Sequence, residues 1–469
     1  MRNRLRFMLS LCVVFAAAGA WAEQSEDAIE ATVKKLGGSV IRNDQLPGKP
    51  IISVLLSLSD CKDADLRALT GLKSITSLAL YRTGITDAGL KEVAALKTLT
   101  SLDVMKTRIT DSGLKELAGL DLLERLALAS NELNGSGLKD LAGLKSLTDL
   151  NLRETKVTDE SIAGLKDLAK LRRLELGETA VTGTGLKALA TFKSLESLDL
   201  NAAKVTDAGL RELPKWENLK SLVLFRTRIT DEGLKGLAGL SSLESLDISY
   251  TDCTGTGLAN LINRKSLRRL EMMNAKVTDE GVRALTGMTS LDYLRLDGNR
   301  KLTGVTLSLL ADMKRLRFLS LTKTGLTNEG LKALPELPLK DLQLSSTRIT
   351  DGGMKELAKQ KSAQALDMGG TPVTGAGLKD LADSTIVNVS LSGSLANDEG
   401  ISGIAAMKSV TTLNLSYTRV TDACIDELSR MKSLKALNLS ETKITQAGKD
   451  RLAKNLPQCS IQWSMSTEK

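Results

Sequence analysis

Apolar residues recur along this chain with a period of 24, and their spacing changes inside each period. One unit reads Leu99-x-x-Leu102-x-Val104-x-x-Thr107-x-Ile109-Thr110-Asp111-x-Gly113-Leu114-x-x-Leu117-x-x-Leu120. Alternation at Leu102 and Val104 is a period-two signal and predicts a short strand with one buried face. The wider spacing of Leu114, Leu117 and Leu120 places apolar side chains on one side of a helical segment. Units begin at Ile51, Ile75, Leu99, Leu123, Leu147, Leu171, Leu195, Leu219, Leu243, Leu267 and Leu291, then at Leu316, Leu339, Ala363, Ile386, Val410 and Leu434. Ile461 and Trp463 occupy strand positions of a closing half-unit. No unit can bury its apolar face alone, so neighbours must stack. The predicted fold is an α/β solenoid, a right-handed horseshoe or arc with a parallel sheet on its concave face and helices on its convex face. Eighteen strands at ~4.8 Å spacing make an inner arc of roughly 85 Å.

The ends differ from the array. Residues 1–22 read as a signal peptide: Arg2, Arg4 and Arg6 precede an apolar run from Leu9 to Ala18, and Ala20-Trp21-Ala22 supplies small residues for cleavage after Ala22. That run is shorter than the ~20 residues of a membrane span, so integral membrane association is not expected. Leu11 before Cys12 does not suit lipid attachment. The mature protein is expected to be secreted or periplasmic. Residues 23–50 read as an N-terminal cap, with an amphipathic helix over 26–36, Gly37-Gly38 and a turn at Pro47-Gly48. The array of seventeen units, each of 23–25 residues, covers 51–457, and 458–469 form the C-terminal half-repeat cap and tail. Regular spacing fails between Leu291 and Ile386, a region with Pro335 and Pro338 that could alter curvature or loosen the stack.

Composition agrees with a core built from one residue type, since aromatics make up 3% of the chain. The formal charge of +8 becomes +5 (8 − 3) once the three leader arginines are removed. Lysines recur at one place in the unit, at Lys91, Lys115, Lys139, Lys187 and Lys235, which describes a solvated face and not a nucleic-acid patch. The chain has no His, and Cys61, Cys253, Cys424 and Cys459 form no C-x-x-C pair, so no metal or cofactor is expected. Cys61 and Cys253 share an apolar column eight units apart, far outside disulfide reach, and are expected to be buried free thiols.

Two polar columns follow each strand. Thr83, Thr107, Asn131, Thr155, Thr179, Thr227, Thr251 and Asn299 are expected to bond the backbone of neighbouring turns as a ladder. The Thr-Asp pairs of the T-D-x-G-L turns, at Thr86-Asp87, Thr110-Asp111, Thr158-Asp159, Thr230-Asp231 and Thr278-Asp279, are expected to cap the helices that follow. These motifs resemble the leucine-rich-repeat superfamily, and the T-D-x-G-L turns resemble its ribonuclease-inhibitor-like branch. The chain looks most like exported bacterial proteins of internalin-like type, and its turns are also similar to F-box leucine-rich-repeat adaptors, although residues 23–50 are too few for an F-box. The resemblance implies protein or ligand binding on the concave sheet.

Side chains between the strand leucines face away from the core and form that surface. Its middle column includes Asp103, Glu175, Asp199, Asp247, Glu271 and Arg295, and is read as acidic and amide-rich over its first two-thirds. Tyr81, Phe225, Tyr250, Tyr293, Phe318 and Tyr417 join it, half of the chain's few aromatics. A basic rim at Arg108, Lys156, Lys204, Arg228, Lys276, Arg348, Arg419 and Lys443 is expected to border this floor. Gly183-Thr184-Gly185 superficially matches a dinucleotide fingerprint, but the same form recurs in register at Gly135, Gly255 and Gly375. Carboxylate pairs such as Glu175 and Asp199 would need an enclosed pocket for catalysis. The expected function is therefore non-enzymatic binding of a protein partner by a monomer. The alternatives are a carbohydrate or cell-wall binder using the aromatics as platforms, and an intracellular adaptor.

Overall fold

The computed structural model describes residues 25–262 and 265–464, and the expected signal peptide lies outside them. Helix α1 (Glu26–Lys35) opens the fold. It is followed by strands β1 (Ser39–Arg42) and β2 (Ile51–Leu55). These two pair antiparallel, whereas from β2 onward every strand pairs parallel with the next, ending at Ser460–Gln462. The described residues thus form one nineteen-stranded sheet, with one three-residue strand per unit after β2. The antiparallel β1 was not expected from the sequence. It covers the first edge of the array, where Arg42 gathers Glu30 at 2.9 Å and Asp27 at 2.7 Å, and Glu26 accepts the Ile51 N–H.

Strand register repeats without a slip. Leu102 lies beside Leu78 and Leu126, and the same leucine column continues through Leu294, Leu319, Leu342 and Leu366 to Val389. The units of irregular length therefore leave the sheet undisturbed. Their extra or missing residues fall in loops: Arg300-Lys301 after the Tyr293–Arg295 strand, and the returns around Pro335 and Ser384. Gln360 braces the proline-containing return, donating to the Pro335 carbonyl at 2.7 Å and accepting from the Leu337 N–H. The convex side is less regular than expected. It mixes short α-helices such as Asp87–Val93 with 3-10 turns such as Asp111–Gly119. Tight 3-10 winding keeps each return narrow enough to follow the strand spacing. Among the described residues no helix is long and apolar enough to cross a membrane.

The position after each strand turn is left-handed, with φ of 55° at Arg82 and Lys106 and 57° at Tyr250 and Tyr417. Its N–H continues the inter-unit ladder around the bend, as when Arg82 donates to the Met105 carbonyl at 2.9 Å. The threonine column behaves differently from expectation. Thr83, Thr155, Thr179, Thr227 and Thr251 each donate to the carbonyl three residues back, inside their own unit. Only an amide is long enough to bridge units: Asn131 donates to Val104 and Leu128, and Asn299 to Met272 and Leu296.

The turn aspartates also act across units. Thr86, Thr110, Thr230 and Thr278 each cap their own helix, Thr86 accepting from the Ala88 N–H, whereas at Thr158 the Ser161 hydroxyl accepts the threonine N–H instead. The aspartate serves the next unit instead: Asp63 accepts from the Thr86 N–H and hydroxyl, and Asp87 does the same for Thr110. Where the receiving turn is Gly-x-Gly, the carboxylate takes more donors. Asp231 accepts from the N–H groups of Thr254, Gly255 and Gly257 and from the Thr254 hydroxyl, while Asp159 and Asp351 serve Gly183-Thr184-Gly185 and Gly375-Ala376-Gly377 in the same way. The apparent dinucleotide fingerprint is thus a backbone anion nest already filled by the chain's own carboxylate. On its other side such a unit meets the next glycine to glycine: a Cβ at Gly183, whose φ is +101°, would lie 2.9 Å from the Gly209 Cα.

Candidate binding face

Parity of the strand sets which side chains reach the concave surface. In the Ser101–Asp103 strand, Leu102 is buried while Ser101, Asp103 and Met105 face out, so the floor has three columns, not one. Middle-column Asp and Asn are held by a local turn. Asp103, Asp199, Asp247 and Asn414 accept the N–H two residues on, at Met105, Asn201, Ser249 and Ser416. One carboxylate oxygen is therefore committed to ending the strand, which explains the Asx preference of the column.

Besides the aromatics expected there, the flanking columns supply arginines that the sequence reading did not single out. Arg153 spans two strands to reach Asp199 at 2.6 Å and lies 3.5 Å from Glu178. It crosses over Gly177, where a Cβ would fall 3.3 Å from its guanidinium carbon. Arg173 pairs with Asp149 on the neighbouring strand. Glu271 sits between Arg269 at 2.8 Å and Arg295 at 3.9 Å, and Arg295 also holds Asp297 at 2.6 Å. The middle column is acidic as read, and arginines of the flanking columns pair with part of it: Arg153 with Asp199 and Arg269 with Glu271. The basic rim residues are exposed as expected, but Lys276 pairs with the rim acid Asp252 at 2.7 Å, not with the floor. Period two makes residues i and i+2 equally readable, so Arg153 and Arg269 were accessible to the same sequence argument.

Burial raises the pKa of Asp103 and of Asp247, with bonds from Met105 and Ser249 opposing it. Burial, then the neighbouring Asp199 charge, pushes Glu175 up against the pull of Arg153. Asp103, Arg125, Asp149, Asn151, Arg173 and Glu175 surround an open hollow of about 240 Å³ where Ala127 withholds a side chain. Of its charged groups, Arg173 and Asp149 pair with each other, and among the described residues no cluster of three His, Cys, Asp or Glu is arranged to hold a metal ion. Burial pushes the thiols of Cys61, Cys253 and Cys424 up to about 12, and none of the four cysteines is bridged.

The aromatic residues separate into groups. Phe225 in the third column and Tyr250 at the left-handed turn lie 4.9 Å apart and tilted. Tyr293 and Phe318, opposite one another in the first column, stack at 4.2 Å and 3°, and the Arg269 guanidinium covers the other face of Tyr293 at 3.7 Å. Tyr250 is 46% exposed and Tyr417 66%. Tyr81 and Tyr417 stand apart from these pairs along the sheet. The remaining described aromatics are structural: Phe192 and Trp216 are buried in the core, and Trp463 packs against it.

A leucine-rich-repeat family model matches residues 95–118, 168–190, 217–238, 265–285 and 338–358. Each span is about one period and carries its unit's strand, turn and convex segment. The chain folds as a leucine-rich-repeat solenoid, and five of its units match the family's repeat. No curated protein matches the sequence. Among solved structures, a leucine-rich-repeat protein of Leptospira interrogans is 24% identical with a TM-score of 0.54, over 84% of this chain and 91% of that one. The leucine-rich-repeat ectodomain of a plant membrane receptor kinase from Arabidopsis thaliana was solved with CASPARIAN STRIP INTEGRITY FACTOR 2. It is 18% identical with a TM-score of 0.55, over 91% of this chain and 58% of that one. An internalin of Listeria monocytogenes is 21% identical over 87% of this chain and 94% of that one, with a TM-score of 0.45. The Leptospira and Arabidopsis likenesses establish the repeat fold, on which partner choice is set by surface residues.

Proposed function

We propose that this leucine-rich-repeat protein is an exported, non-enzymatic module, nearest the ribonuclease-inhibitor-like branch, that binds a protein partner on its concave strand face as a monomer. The observation that carries the reading is the placement of the aromatics: Phe225 with Tyr250, and Tyr293 with Phe318, are gathered on the concave side, where nothing in the fold requires them. Rigid aromatic surface beside arginine is the composition of protein-binding hot spots. Tyr81, Asp103, Glu175, Asp199, Asp247, Glu271 and Arg295 extend this surface along the same face. A carbohydrate platform is the weaker reading, because Arg269 and Phe318 cover both faces of Tyr293.

The test is a pulldown with the mature protein, repeated with Tyr250, Tyr293 and Phe318 changed to Ala. A captured partner should be lost from the triple variant, and normal capture would overturn the concave-face reading in that region. Export is tested by N-terminal sequencing of the protein from its native host. The expected first residue is Glu23, and an intact Met1 would overturn it.

A further inference from the structure

Resting on the concave-face reading, we propose that the partner presents an arginine side chain to a slot between Phe318 and Ala365, above Asp341. The first floor column stacks planar groups at one per strand. Arg269, Tyr293 and Phe318 lie in register on consecutive strands, the guanidinium 3.7 Å from the Tyr293 ring and the two rings parallel at 4.2 Å. The next residue in register is Asp341 and the one after it is Ala365. Both are too short to continue the stack, so the second face of Phe318 looks onto a gap whose wall is aromatic and whose floor carries a carboxylate.

A planar cation suits this gap best. A guanidinium laid on Phe318 would repeat the contact that Arg269 makes with Tyr293, and would reach Asp341 at the same time. An ammonium is compact and more strongly hydrated, and would gain the charge contact without the stacking. Among the described residues no cation pairs with Asp341. Arg317, the nearest guanidinium in sequence, donates to the Pro338 carbonyl at 3.2 Å, and Asp341 is held along its own strand by the Gln343 amide. That amide contact also keeps the carboxylate oriented without neutralising it. The slot thus extends a protein-made cation and ring stack by one member, and the arriving member pairs with Asp341 as Arg153 pairs with Asp199.

The experiment is saturation-transfer difference NMR on the full mature chain, with N-acetyl-arginine amide as probe and the N-acetyl amides of citrulline and lysine as controls. Transfer to the arginine side-chain methylenes should exceed that to citrulline at least threefold, with lysine between them. In Phe318→Ala, and separately in the nearly isosteric Asp341→Asn, it should fall to the citrulline level while circular dichroism is unchanged. Equal transfer to arginine and citrulline in the parent, or undiminished arginine transfer in both variants, would overturn the slot. Because the probe is a single amino acid, that failure leaves the wider concave-face reading to the pulldown. Loss of a partner from the triple aromatic variant but not from Asp341→Asn would likewise sink the slot alone.

Discussion

At the scale of single residues, the turn aspartates do more than their local sequence implies. A Thr-Asp pair opening a helix reads as capping, and the threonine does cap. The aspartate's partners lie 23 to 26 residues away, in the next unit, where only the stacked structure places them. Burial raises the pKa of Asp231, but the donors from Thr254, Gly257 and Gly255 outweigh it, and the net direction is down. The same balance holds for Asp159 and Asp351. A carboxylate whose folded pKa is depressed contributes stability that is complete above its unfolded value, near 4, and is lost as pH falls through the lower folded value. Asp231→Ala should therefore lower stability by about 2 kcal/mol at pH 7, since it strands N–H donors in a closely packed turn. The gap between parent and variant should narrow steadily below about pH 4. Urea unfolding followed by circular dichroism at several pH values checks this, and a gap independent of pH would show that the charge is not what stabilises the turn. Asp103, Asp247 and Glu175 shift the opposite way, so only the parent-minus-variant difference isolates the clamp.

Elements show which parts of the unit were legible. Gly209 opens the helix Asp207–Arg211 hard against the preceding turn, so a Cβ there would collide with the Thr182 carbonyl, whereas at Gly84 the nearest atom would be 3.4 Å away. Gly209→Ala should cost about 2–4 kcal/mol by forcing the two units apart, and Gly84→Ala should be neutral or slightly stabilising through lost chain entropy. Thermal melts of the two variants side by side would separate them, and equal melting temperatures would mean the units yield easily. Gly209 occupies the glycine position of a T-D-x-G-L turn and Gly84 does not, but the collision that makes the difference comes from the neighbour a full period away. The strands and the buried leucines were readable from periodicity, since burial on one face fixes which residues alternate. The left-handed turn was not. Its trace is faint: Gly298, Gly370 and Gly393 fall in this column, and positions such as Arg82, Lys106, Tyr250 and Tyr417 carry no β-branched residue, which a side-chain pattern registers poorly. On the floor, the middle column and the aromatics are readable from the sequence, but the flanking arginines Arg153 and Arg269, two residues from the middle column on the same side of the strand, are not among the residues it singles out.

Across the whole molecule, nearest-neighbour stacking means that stability depends on how junctions are matched as well as on how many units there are. Two kinds of junction occur. In one, an aspartate clamps the next turn; in the other, a glycine turn such as that of Gly135 or Gly183 passes no carboxylate forward. Deleting a single 24-residue unit can therefore give opposite outcomes at equal array length. Removal of residues 219–242 sets the unit of Asp207 against the Gly255 turn, so a carboxylate is again supplied to that nest. Removal of residues 147–170 sets the unit of Gly135 against the Gly183 turn, and the N–H groups that Asp159 served are left without an acceptor. Strand register survives both deletions, since each removes one full period. The half-buried floor ion pairs lost with Asp149 and Arg153 still face the open concave side and are worth about 1 kcal/mol each. The 147–170 deletion should consequently be the less stable by about 2–4 kcal/mol, the cost of unsatisfied donors in a buried turn. Guanidinium unfolding of the two shortened proteins measures the difference directly. If they unfold at the same midpoint, the units are interchangeable and the carboxylate clamp is not what matches one to the next.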